Sequence, residues 1–163
     1  MPSKFILQPQ FMELALETAE KNKIPNAQSK EISSQELLQA NDVEKKWGEK
    51  ITRRSNPTSI YNCHGLVFAS RRTGIFDNSS VRQILEDDKY HEIQKEDALP
   101  GDIVIYFNEG DIEHSGIVIT TPSESPLKIP LVYSKWGKYS EVIHLQNHCP
   151  YHQSEIKYYR VVR

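Results

Sequence analysis

The sequence predicts a single-domain α+β fold, with helices early in the chain and an antiparallel sheet after them. Three observations carry this. Apolar residues recur at helical spacing beside capping signals in the first half, and short β-branched and aromatic segments separated by turns fill the second half. No repeat or low-complexity segment divides the two. A chain of 163 residues fits one domain and can bury most of its apolar surface. The expected organisation is one unit over 1–163, with 1–50 as a helical extension and 51–163 as the core of the domain.

Phe11, Leu14, Ala15, Thr18 and Ala19 recur at helical spacing and predict a first helix that ends near Asn22 and Pro25. Ser33 and Glu36 form a capping-box pattern before Leu37 and Leu38, which predicts a second helix from Ser33. Residues 50–59 are polar and include Pro57, so they read as a loop. Residues 63–72 read as a short helix, with Leu66, Val67 and Ala69 facing a core. Arg71 and Arg72 suit its C-terminal end, and Gly74 suits its C-cap. Asn78 or Ser79 can cap a further helix carrying Val81, Ile84 and Leu85. Leu99-Pro100-Gly101-Asp102 is a turn, and residues 103–107 are rich in strand formers. Glu109-Gly110-Asp111 makes the next turn and residues 114–119 the next strand. Further strands are predicted over 129–134, 141–145 and 156–162, with a hairpin loop over 122–126.

Charged residues make up 26% of the chain and hydrophobic ones 37%, ordinary for a globular protein. A formal net charge of −2 gives no broad electrostatic case for nucleic acid or an anionic membrane as partner. The apolar Phe5, Ile6 and Leu7 are stopped by Gln8-Pro9-Gln10, far short of a secretory core. No stretch approaches the roughly 20 apolar residues that span a bilayer. Two cysteines do not make a disulfide framework and suit a reducing compartment, so a cytoplasmic location is expected, or export without a cleavable signal.

Cys63 stands where a loop becomes a helix, a position whose dipole and free N–H groups favour thiolate and can hold an oxyanion. The plain alternative is a small buried hydrophobe. His114 opens a strand after a tight acidic turn, next to Ser115 and the small Gly116, where another element can approach closely. Alone, it would be a surface histidine beside Glu113. Together the two suggest a thiol nucleophile with an imidazole base.

Asn62-Cys63-His64-Gly65-Leu66-Val67 resembles the Asp-Cys-Ser-Gly-Leu-Val signature of NlpC-type cysteine peptidases, members of the papain-like superfamily. Leu99-Pro100-Gly101-Asp102-Ile103-Val104 resembles that family's Pro-Gly-Asp strand, and His114-Ser115-Gly116-Ile117-Val118-Ile119 its His-Val-Gly-Ile strand. The three motifs follow the family's order over residues 55–145. Asn62 stands where the family has Asp and His64 where it has Ser, and no Tyr-x-Trp-Gly-Gly segment precedes the cysteine. The resemblance therefore implies the chemistry and not a cell-wall substrate. Residues 62–75, 111–118 and 134–137 also resemble a set of small bacterial domains.

The resemblance implies a cysteine-bearing helix packed on an antiparallel sheet that supplies the histidine. It places a third, orienting residue on the following strand, near Tyr133-Ser134-Lys135, which makes Ser134 one candidate; His144, one strand later, is the other. His64 points about 100° away from Cys63 on a helix, so its expected role is to line the cleft. Tyr61 can flank the cleft or donate to an oxyanion, and Trp136 can form a cleft wall. Each of these has an ordinary packing role as its alternative.

The expected activity is cysteine-dependent hydrolysis of a peptide or amide through an acyl-enzyme, with acyl transfer or deamidation as variants. The expected partner is a peptide or protein substrate, with no cofactor. A non-catalytic binding module is the competing class. A structural metal is another alternative, because His144, His148, Cys149 and His152 supply four potential ligands within nine residues. Against it, Val142 and Ile143 suggest extended chain and Pro150 interrupts any helix.

Overall fold

The capping box read at Ser33 forms. Ser33 Oγ accepts from Glu36 N–H and the Glu36 carboxylate accepts from Ser33 N–H, which fixes the start of α1 (Ser34–Trp47). The structure is a computed structural model that describes residues 11–29 and 31–162.

The helix expected before residue 25 does not form. Phe11–Met12 (β1) instead pairs antiparallel with Gln28–Ser29 (β2). Between them Asn26 does the work of a strand partner: its Oδ1 accepts from Leu14 N–H, and its Nδ2 donates to the Leu14 and Ile24 carbonyls. A side chain that satisfies backbone groups in this way removes the need for a helical ladder. Lys21 takes a left-handed conformation at φ 65° and closes a tight turn with Thr18.

Residues 50–59 are only partly a loop, because Ile51–Arg53 (β3) adds a strand. The helix over 63–72 is shorter than its pattern suggested: α2 runs Cys63–Phe68. Ser70 and Arg71 then take positive φ, and Arg71 N–H returns to Gly65 O. Gly74 bridges to Ala27 and does not cap the helix. In α3 (Asn78–Asp87) the cap is Asp77, one residue before the expected pair, with its carboxylate accepting from Ser79 N–H. Tyr90–Ile93 (β4) follows, an edge strand that the sequence pattern does not show.

The remaining strands lie close to their expected positions: β5 (Ile103–Asn108), β6 (Asp111–Val118), β7 (Leu131–Lys135), β8 (Glu141–Leu145) and β9 (Glu155–Val161). They complete a seven-stranded sheet in the order β3-β8-β7-β6-β5-β9-β4, in which every pairing is antiparallel. The fold is α+β, with few helices around one large sheet.

Strand alternation divides the core in two. Ile103, Ile105 and Phe107 pack with Ile75, Val81 and Ile84 from the side of α2 and α3. Val104, Tyr106, Val118, Val132, Trp136 and Val142 form the other cluster, against which α1 lays Val43 and Trp47. Among the described residues, no helix is long and apolar enough to cross a membrane.

Candidate active site

Cys63 is the first residue of α2, and Asn62 is its cap. Asn62 Oδ1 accepts from Gly65 N–H (2.9 Å) and Ile75 N–H (3.0 Å), and its Nδ2 donates to Ile75 O (2.7 Å). That last bond needs an amide, which accounts for Asn where the resembled motif has a carboxylate. One buried side chain thus ties the start of α2 to the segment that returns beneath it. Gly65 is required by the same return: a Cβ there would lie 1.9 Å from Thr73 O.

α2 packs on β6 and β7. Those strands pair only where Ile117 and Val118 meet Tyr133 and Val132. A register shift at Tyr106/Phe107 marks an irregularity in the β5–β6 ladder just before His114. His114 and Ser115 then face opposite sides of the strand. Ser115 points to α2, and its Oγ lies 2.7 Å from His64 Nδ1. His114 is fully buried beside Tyr106 and stacks on Tyr151, with ring centroids 3.8 Å apart and planes 8° from parallel.

The thiol senses both histidines. Burial alone would raise the pKa of Cys63, but the charges of His64 and His114 hold it well below the ordinary thiol value. The contact to His114 falls short of a formed hydrogen bond, since neither of its buried ring nitrogens has a partner of good geometry. Such contacts are often long before substrate arrives. Cys63 belongs to neither apolar cluster, whereas Cys149 lies within the second, and burial pushes its thiol up to about 11.

The two candidates for an orienting residue do not serve His114. Ser134 Oγ lies 2.7 Å from His144 Nε2, and His144 Nδ1 donates to Leu145 O at 2.6 Å. The ring is therefore the neutral Nδ1–H tautomer and Ser134 is its donor; burial lowers the His144 pKa to about 3. Ser134 and His144 form a closed pair. His114 is held by aromatic faces and not by a polar partner. The histidine with a polar orienting partner is His64, through Ser115.

The expected cleft residues divide. Tyr61 does line a cleft of about 330 Å³, together with Ala27, Ser59, Asn62, Phe76 and Gly137. Its hydroxyl is committed to Glu141 at 2.7 Å and is not free for an oxyanion. His64 is buried beside Ser115 and is not among the residues lining that cleft. Trp136 is 1% exposed, packed edge-on against Trp47, so it is core and not a cleft wall. Cys63 itself is 5% exposed and His114 0%. Access to the thiol therefore requires movement of the elements around it.

The sequence reading missed the polar groups behind the thiol. Glu141 Oε1 accepts from Tyr61 and Arg71, and its Oε2 accepts from Tyr133 (2.5 Å) and Arg71. Burial would raise this carboxyl, but the hydrogen bonds from Arg71, Tyr133 and Tyr61 bring it below its ordinary value. Beside it lies Lys135, fully buried. Lys135 and Glu141 are direct cross-strand partners. An opposed Lys and Glu in neighbouring strands of a hairpin was a readable signal.

His144, His148, Cys149 and His152 do not converge. His144 is closed on Ser134, His148 tilts against Trp47, Cys149 contacts Gln146 O, and His152 pairs with Glu113 at 3.0 Å. Among the described residues, no group of three or more His, Cys, Asp or Glu side chains is arranged to hold a metal ion. No family model matches the chain, and no curated protein or solved structure matches it either.

Proposed function

We propose that the protein is a cysteine-dependent hydrolase of peptide or amide bonds, built on a papain-like, NlpC-like arrangement. The observation that carries this is the setting of Cys63, which opens α2 behind the Asn62 cap and lies outside both apolar clusters, whereas Cys149 is packed within one. Cys149 is raised by burial in an apolar cluster, whereas Cys63, equally buried, is drawn down by two imidazoles. A lowered thiol beside a base is the signature of a nucleophile.

In this reading the Cys63 proton passes to an imidazole and the thiolate attacks the substrate carbonyl carbon. The C–N bond breaks as the imidazolium returns its proton to the leaving amine, and a thioester remains on Cys63. Water then attacks the thioester, giving a proton to the imidazole, and the carboxylic acid leaves as the thiol re-forms. An amine in place of water gives acyl transfer, and a side-chain amide as substrate gives deamidation. His114 is the base on this scheme. The bond between His64 and Ser115 favours His64 as sharing that work, because it is the histidine whose ring a hydroxyl fixes.

A non-catalytic module is the second reading, favoured by the closure of Cys63 and His114 from solvent. An electrophilic activity probe separates the two. Wild type labels and Cys63→Ala does not, and labelling of wild type slows in His114→Ala and in His64→Ala. Equal labelling of wild type and Cys63→Ala would exclude Cys63 as the nucleophile.

A further inference from the structure

We propose that Lys135 is a positioning residue for the Cys63 thiolate, supplying a fixed buried positive charge and tying together two chain segments beside it. The inference rests on the nucleophilic role proposed above for Cys63.

Lys135 ends β7 and has no solvent-exposed surface. A lysine is almost never fully buried without partners, because desolvating an ammonium is costly. Here all three of its N–H donors are used. Nζ donates to Thr58 O at 2.7 Å, Gly137 O at 2.6 Å and Tyr139 O at 2.9 Å, and it sits 4.9 Å from the centroid of the Tyr61 ring. Three acceptors on two separate segments and one aromatic face make a complete cradle for a cation.

Position gives the cradle its meaning. Thr58 leads into Ser59, Tyr61 and Asn62, which line the 330 Å³ cleft together with Gly137. Lys135 therefore ties the chain that leads to Cys63 to the turn after β7. The carbonyl acceptors carry only partial charge, so the ammonium still needs an anion. Cys63 opens α2, which packs on β7, and the Tyr61 ring two residues before it lies under the ammonium, while Glu141 is the cross-strand partner on β8; the charges of both favour the protonated lysine. Glu141 is already engaged by Arg71, Tyr61 and Tyr133, so of the two anions the Cys63 thiolate is the one with no guanidinium or hydroxyl bonded to it. His64 and His114 act on the same thiol, and Tyr151 stands near it. Burial lowers Lys135 to about 8, a value at which it remains mostly charged at neutral pH.

Tying Thr58 to Gly137 and Tyr139 would be a sufficient structural role, so the test must read something that role does not move. The first measurement is the pH profile of Cys63 alkylation by iodoacetamide in wild type and in Lys135→Met, with thermal unfolding to show that the variant is folded. The proposal expects the midpoint to rise by about one pH unit, which lowers the rate at pH 7 about tenfold.

The second measurement keeps the lysine in place. The side-chain carbon signal of Lys135 is titrated by NMR in wild type and in Cys63→Ala. Linkage is reciprocal, so removing the thiolate lowers the lysine midpoint if the two charges interact. A folded Lys135→Met with an unchanged alkylation midpoint overturns the proposal. So does a lysine midpoint that ignores Cys63→Ala. A wild-type thiol that resists alkylation altogether would instead sink the hydrolase reading, and the lysine titration would still decide whether the two charges are paired.

Discussion

Two thiols in one small protein give an internal comparison at the residue scale. Cys63 and Cys149 are both buried and both free, so exposure does not separate them. What differs is the neighbours: two imidazoles beside Cys63, and Val104, Tyr106 and Val132 in the cluster around Cys149. A thiol raised to about 11 is thiolate in only about one molecule in ten thousand at pH 7. Native protein treated with limiting iodoacetamide at pH 7 should therefore modify Cys63 and leave Cys149 untouched until denaturant is added. Mass spectrometry of the peptides reads this directly, and prior modification of Cys149 would remove the contrast on which the functional reading stands. The same scale explains what the sequence could show of the site. Cys63 and His114 were visible as residue types in matching motifs. Ser134 and His144 were visible as candidates, but their mutual bond depends on the β7–β8 register, and with each satisfied by the other neither remains for His114.

At the scale of elements, α2 is only six residues long, too short to persist without its surroundings. It is fixed by the Asn62 cap and by the tight return through positive-φ Ser70 and Arg71. Gly65 is the point where helix and return touch, and the obstructing atom is a backbone oxygen that no rotamer change can clear. Gly65→Ala is expected to destabilise the fold by about 1–3 kcal/mol, through overpacking. That corresponds to a fall in Tm of roughly 2–12 °C for a chain of this size, and a melting curve that does not move would show that the return is free to shift. The central strands were legible because β5, β6 and β8 each concentrate β-branched and aromatic residues between turns. The edges were not: β3 and β4 are short and largely exposed, with no buried alternation to read. The false helix before residue 25 had the right spacing, but Asn26, well outside the periodic stretch, settled it by bonding the backbone at Leu14.

For the whole molecule, the sheet carries a stability cost that depends on pH. His144 is buried at the centre of the polar pair with Ser134, and desolvation lowers its pKa from 6.5 to about 3. Its folded value lies below its unfolded value. As pH falls through about 6.5 the unfolded chain takes up a proton that the folded protein refuses, and this continues until about pH 3. Stability is therefore lost on acidification across that window, at up to about 1.4 kcal/mol per pH unit for this one group. Carboxylates with lowered values, such as Asp87 and Glu141, act in the same direction, but mainly below the unfolded carboxylate range near 4. The interval from about pH 6.5 to 4.5 thus isolates the histidine from the carboxylates. Other groups that titrate there cancel when wild type is compared with His144→Gln. That variant has an amide to donate to Leu145 O and an oxygen to accept from Ser134, without a titratable ring. Urea unfolding at the two pH values should show wild type losing about 2 kcal/mol more than the variant. Parallel losses in both proteins would mean that His144 accepts its proton in the folded state, and that the Ser134–His144 pair opens before the sheet does.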